Sequence, residues 1–387
     1  MSVTDSPFAF ASYARWRVFS SSVFLFALIV FFTVQHPATL VMGAILCVVY
    51  YFAGKIAKSI NLLSLVLFIF FVIIAALPSL SLAHGVSPFF YLFSSISIGA
   101  AAYRFSQLPY VDLLKSITCV FWVCIGLILF LWWVNRASLE PLGEVIPGSS
   151  TNGIPSYLIV LQVALSITFL LQKGRLPLIS PFFTLLVAFL GLGRGSIIVA
   201  LAIFLSSIGF NVILYYGNSL LLRVLIVLSF TFVIILIFAG GFYYGSEYFL
   251  AYIESSKFAS GVLDPYRGQI LQEYIAKVDA LGFLLGVDYS GTVIATKYDG
   301  NPHIAFIRTH SFYGFFGVFI AIVSPSFVFL SREDVRFKLA GFLLLSLLLV
   351  RALTEPILFP TLLDFFYFYC FFIFFKVDSC SQPRLQC

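Results

Sequence analysis

Apolar stretches long enough to cross a bilayer follow one another along almost the whole chain, and this pattern constrains the fold more than any motif does. Inside the hydrocarbon layer the backbone must satisfy its own polar groups, so each stretch of about 20 apolar residues reads as a helix. About twelve segments approach that length: residues 18–34, 38–53, 60–77, 88–103, 116–134, 155–171, 176–192, 195–215, 224–242, 304–330, 339–352 and 357–375. Hydrophobic residues make up 61% of the 387 and charged residues 10%, far too little polar surface to cover a soluble core of this size. The expected fold is all-α: a polytopic transmembrane helix bundle of about 12 spans, forming one integral membrane domain over residues 1–387. The polar start of the chain, through Arg15 and Arg17, leads into the first apolar run. It shows no small-x-small cleavage site and many spans follow, so it reads as a retained first helix.

The one long hydrophilic interruption runs over residues 242–317 and contains Arg267, Asp288, His303, Arg308 and His310. Charge placement sets its side. With the N-terminus inside, Arg15, Arg17, Lys55, Lys58, Arg104, Lys115, Lys173, Arg175, Arg223, Arg332, Arg336, Lys338, Lys376 and Arg384 all fall inside. The outer side keeps only Arg136, Arg194, Lys257, Arg267, Lys277, Lys297, Arg308 and Arg351. The positive-inside rule then places both termini in the cytoplasm and the loop at 243–303, between spans nine and ten, outside. The net charge of +6 reports this topology rather than a nucleic-acid surface. Cys47, Cys119, Cys124 and Cys370 lie in spans, and Cys380 and Cys387 lie in the inner tail. No outer disulfide framework is implied, and no Cys/His spacing suits a metal.

Two outer segments carry local signals. Residues 135–154, rich in Gly, Pro, Ser and Thr and bearing Glu140 and Glu144, read as a loop. In the long segment, Asp264 and Pro265 form a helix start, with helix expected to about Leu281. Ile270, Leu271, Tyr274, Ile275, Val278 and Leu281 recur at helical spacing and give it an apolar face for the membrane or the bundle. Arg267 falls in its first turn, where free N–H groups already favour an anion.

Arg194, Arg308 and Arg351 sit at outer span boundaries, against the usual charge bias. Snorkelling to the interface accounts for any one of them. Together with Arg267 they offer guanidinium forks matched to phosphate oxygens. Arg194 lies in Gly191-Leu192-Gly193-Arg194-Gly195-Ser196, which lacks the lysine and spacing of a P-loop. His310, Gly314 and Gly317 share a helix face, which suits either helix packing with a structural histidine or a general base at the outer boundary. His36 and His303 read as incidental loop histidines. Asp288 and Glu355 suit acid–base work or an arginine partner, and Arg351 and Glu355 have the i, i+4 spacing of a structural ion pair. Asp364 is awkward inside an apolar span, as a bond to a neighbouring helix or a misplaced boundary would explain.

The late outer loop, Arg194-Gly195-Ser196 at an outer span start, Arg267 in the loop, and His310 followed by Gly314 and Gly317 together resemble the O-antigen polymerase (Wzy-type) and O-antigen ligase superfamily. In the ligases the loop histidine is often followed by Asn, whereas here Ser311 follows His310, which tilts the resemblance to the polymerase. The resemblance implies a metal-independent GT-C glycosyltransferase without cofactor, acting at the periplasmic face of a bacterial inner membrane. Its substrates would be oligosaccharides on undecaprenyl diphosphate, and a chain-length regulator protein would be a further partner. Arg194, Arg267, Arg308 and Arg351 would bind the diphosphate. His310, with Asp288 second, would take the proton of the acceptor hydroxyl. From another function class, a lipid-linked oligosaccharide flippase would place its polar sites nearer mid-membrane.

Overall fold

The computed structural model describes residues 7–34, 36–53, 87–138, 141–143, 145, 153–215, 265–298 and 300–376. The third and ninth expected spans, Glu140, Glu144, Asp264 and residues 243–264 of the long loop lie outside the described residues. The described secondary structure is helical, with no strand among those residues. In chain order the helices are α1 (Pro7–Val34), α2 (Pro37–Phe52), α3 (Ser87–Ser106), α4 (Tyr110–Val134), α5 (Gly153–Lys173), α6 (Ile179–Leu190) and α7 (Arg194–Tyr215). Then come α8 (Pro265–Lys277), α9 (Ala280–Leu285), α10 (Val293–Lys297), α11 (Ala305–Val323), α12 (Val335–Ala352) and α13 (Asp364–Phe372). A 3-10 helix, Ser324–Leu330, extends α11.

Among the described residues five helices, α1, α4, α5, α7 and α11 with its extension, are long and apolar enough to cross a membrane. They are consistent with a membrane protein. Helix α5 is the centre: α4, α6, α7, α12 and α13 all pack on it, and nearly every side chain from Gly153 to Leu171 is buried. A helix that is apolar on every side belongs inside a bundle. Hydroxyls and amides tie it to its neighbours, with Thr168 Oγ1 2.7 Å from the Tyr369 hydroxyl and the Thr184 hydroxyl donating to Gln162 Oε1 at 3.2 Å. Between apolar helices in lipid such bonds add specificity, at about 0.6 kcal/mol each.

Three boundaries depart from the sequence pattern. The seventh segment is helical only from Ile179, because Asn211 of α7 brackets Leu176. Its Nδ2 donates to the Leu176 carbonyl, and its Oδ1 accepts the Leu176 N–H, both at 2.8 Å. The helix expected from Pro265 to about Leu281 breaks after Lys277, where Asp279 takes the Gly282 N–H at 2.6 Å and starts α9. The last segment is not helical over 357–363. There Asp364 accepts the Phe359 N–H at 2.8 Å and the Thr361 N–H at 2.9 Å, folding the buried chain into a turn before α13. Asp364 therefore begins a helix rather than interrupting one, and bonds within its own turn rather than to a neighbouring helix.

Candidate functional site

The turn after α12 gathers the charges. Arg351, in the last turn of α12, is only 2% exposed. Its Nη2 donates to Ser156 Oγ of α5 at 2.7 Å, and its Nη1 donates to Thr354 Oγ1. Glu355 Oε1 lies 3.4 Å from Arg351 and 3.5 Å from Arg267 Nη2, so one carboxylate oxygen faces two guanidinium groups. The i, i+4 pair thus forms across the end of the helix and reaches α8 as well. The start of α7 completes the cluster. A Cβ on Gly195 would lie 3.2 Å from Arg351 Nη1, so the guanidinium rests almost on the helix backbone. The Ile197 N–H bonds back to Gly193, which leaves the first-turn N–H groups of α7 outside the helical ladder. Arg194 opens this helix, and its Nη1 is buried with no hydrogen-bond partner.

This is an electropositive arrangement. Arg194 opens α7 and Arg351 rests on its first turn, at the positive end of the helix dipole, while Glu355 links Arg351 to Arg267. Cations gathered at a helix N-terminus repel one another unless an anion lies between them. Arg308 donates from Nη1 to the Pro356 carbonyl at 3.1 Å and so joins the same turn, at the residue after Glu355. Thr309 Oγ1 bonds to the Phe359 carbonyl at 3.1 Å. Next to that contact an apolar groove of about 370 Å³ opens between α11 and α13, lined by Tyr313, Phe316, Phe327, Phe359, Phe368 and Phe371 among others.

His310, in α11, and Asp288, between α9 and α10, lie apart from this cluster, and both are engaged. His310 Nε2 is 2.9 Å from the Phe283 carbonyl, and its Nδ1 is 2.8 Å from the Tyr274 hydroxyl. A carbonyl can only accept, so Nε2 carries the hydrogen, and in the neutral ring Nδ1 accepts from Tyr274. The histidine therefore takes a proton only from Tyr274 as the segment is arranged. Burial, reinforced by neighbouring Tyr289, pushes the Tyr274 phenol well above its ordinary range. Asp288 is ion-paired to Lys277 and accepts the Ser290 N–H at 3.0 Å. Burial pulls its carboxyl upward, but the bonds from Lys277 and Ser290 outweigh this and hold it below the usual carboxylate value.

The motif around His310 also holds α9 against α11. Ser311 Oγ donates to the Val287 carbonyl at 2.7 Å. Gly314 breaks the regular geometry of α11 (φ 63°), and a Cβ there would overlap the Leu284 carbonyl. Gly286 (φ 86°) reciprocates, since a Cβ on it would overlap the His310 carbonyl. Backbone thus lies against backbone, and only glycine permits both the approach and the positive φ.

The structure brings together Arg194, Arg267, Arg351 and, at the edge, Arg308, but sets His310 and Asp288 in separate hydrogen-bonded networks. Sequence reasoning missed Ser156, Thr354 and Tyr274; it offered Glu355 for acid–base work or an arginine, with Arg351 at the right spacing, but did not place Arg267 beside it. A serine in an apolar helix and a tyrosine on an amphipathic one carry no signal of their own. A protein-family model matching this chain is not found, and no curated protein or solved structure matches it either.

Proposed function

We propose that the chain is a glycosyltransferase embedded in a bacterial inner membrane by about twelve spans, and that it joins repeat units carried on undecaprenyl diphosphate at the periplasmic face. The observation that carries this reading is the convergence of Arg194, Arg267 and Arg351 on the start of α7, beside an apolar groove. In glycosyl transfer from a lipid diphosphate, an acceptor hydroxyl forms a bond to the anomeric carbon while the bond to the diphosphate oxygen breaks. Negative charge grows on the leaving group, and fixed guanidinium and N–H donors stabilise it without reorganising. Among the described residues, the three arginines and Glu355 formally sum to +2, and a diphosphate diester carries two negative charges. The isoprenoid chain lies in the groove of α11 and α13, one end of which shares the 355–359 turn with the arginines.

In this mechanism Arg308 closes the edge of the diphosphate site. The acceptor proton passes to the Tyr274 oxygen as Tyr274 gives its own to His310 Nδ1. Asp288 is the second choice of base, and it must first leave Lys277. Helix α8, which starts at Pro265 and carries Arg267, acts as a cover over the lipid diphosphate.

The test is a gel of surface glycan from a deletion strain carrying single variants. Arg194→Ala, Arg267→Ala and His310→Ala are each expected to abolish long chains while protein level and insertion hold. A lost polymerase leaves lipid A–core bearing one repeat. A lost ligase leaves bare core and polymer accumulated on the lipid carrier, and that pattern would reassign the chain. Normal chain length in all three variants would remove the proposed site.

A further inference from the structure

The arrangement of Glu355 has a meaning beyond an ion pair. Its single oxygen Oε1 faces Arg351 at 3.4 Å and Arg267 at 3.5 Å. Both distances exceed the length of a well-formed charge-assisted bond, about 2.7–2.9 Å. Arg351 does not depend on Glu355 for position, since Ser156 and Thr354 already hold both ends of the guanidinium. The carboxylate itself sits on the turn after α12, outside the helical ladder, and a tenth of its side chain remains accessible. Its backbone neighbours are not locked into a helix, so the side chain can swing away without unwinding α12. The charges around it are those that an anionic ligand would need: Arg351 and Arg267 in contact, Arg194 Nη1 buried without a partner, and the start of α7 alongside.

From this geometry we infer that Glu355 is an internal stand-in for the anionic ligand, exchanged off Arg267 and Arg351 when a diphosphate binds. The inference rests on the proposed diphosphate site and deepens it. The carboxylate keeps buried Arg351 and half-buried Arg267 compensated while the site awaits its ligand. It also sets a selectivity threshold. A ligand must offer the arginines more than one carboxylate does, which a diphosphate's clustered oxygens achieve and a monocarboxylate does not. Binding then shifts an existing equilibrium between a Glu355-closed and a Glu355-open arrangement.

The experiment uses the full-length protein in nanodiscs, with inorganic pyrophosphate as probe and calorimetric titration as readout. If the open arrangement is populated about a tenth of the time, Glu355→Gln binds pyrophosphate about tenfold more tightly than wild type. Weaker binding in Glu355→Gln would show that the carboxylate orients the arginines instead, and equal binding would make it a bystander. Either result overturns the exchange. Because loss of a buried charge can damage folding, hydrogen exchange on the wild-type protein supplies a second reading. Added pyrophosphate is expected to raise exchange in residues 353–359, while unchanged or greater protection there also overturns the inference. The underlying site has a separate control: Arg351→Gln and Arg194→Gln must weaken pyrophosphate binding. If those two bind like wild type, the diphosphate site itself fails. If they weaken it and Glu355→Gln does not tighten it, only the exchange fails.

Discussion

Arg351 occupies a position that a charged side chain reaches only with several partners in place. It is 2% exposed, and its donors are divided between α5, the turn after α12 and Glu355. Lysine at this position keeps the charge but lacks the planar fork that reaches Ser156 and Thr354 together. Arg351→Lys is therefore expected to lose about 1–3 kcal/mol of stability, the net worth of two hydrogen bonds, one of them to a buried group. Thermal unfolding of the purified protein measures it, and Ser156→Ala is expected to reproduce roughly half the effect. Tyr274 makes a sharper test of the proton route. Tyr274→Phe removes one hydroxyl and leaves the ring packed with Ile270, Ile294 and Ile307. If His310 works through that hydroxyl, turnover falls by about 10²-fold or more with folding retained, in line with the usual contribution of an acid–base group. Full turnover in Tyr274→Phe would leave His310 as a residue that holds α8 and α9 in place. The sequence displays the arginines because charge is conspicuous against an apolar background. It does not display Ser156 or the Tyr274 hydroxyl, whose roles depend on which helices become neighbours.

Helices α9 and α11 meet through Gly286 and Gly314, and the packing between them follows from those two residues. Gly314→Ala puts a methyl into the Leu284 carbonyl and forces an L-residue to a φ of 63°. The backbone conformation alone costs about 1–3 kcal/mol, so α9 is expected to undock. Limited proteolysis between residues 278 and 300 would show it as faster cleavage than in wild type. Asp288 and Lys277 provide a second clasp, and it is sensitive to pH. The Asp288 carboxyl is held below its ordinary value in the folded segment. Its contribution is therefore complete above the unfolded value of about 4 and is lost as pH falls through the lower folded value. Protection of the segment from an acid-active protease should decline below about pH 4 in wild type, whereas Asp288→Asn should lack that step. The glycines and the histidine are legible as a motif on one helix face, and helix packing is one of the two readings they allow. What they pack against is not legible. The segment 283–287 touches them only because Asp279 starts a new helix soon after α8 ends.

Across the whole molecule, the apolar runs are legible and their interruptions less so. Helices α1, α4, α5 and α7 begin or end within a few residues of the expected spans, except that α1 reaches back to Pro7. The final segment reads as one span because its residues are almost uniformly apolar, and hydropathy cannot distinguish a buried turn from a helix. Only Asp364 marks the difference, through hydrogen bonds that depend on the turn it caps. The burial of α5 on all sides bears on how such a chain is made. Two of its neighbours, α12 and α13, lie far behind it in the order of synthesis. Helix α5 is therefore made before the helices that cover part of its surface. Ser156 and Thr168 meet Arg351 and Tyr369 only when the C-terminal helices arrive. A chain stopped before Val335 would leave Ser156 without Arg351 and Thr168 without Tyr369, so the last two helices complete the polar contacts of α5.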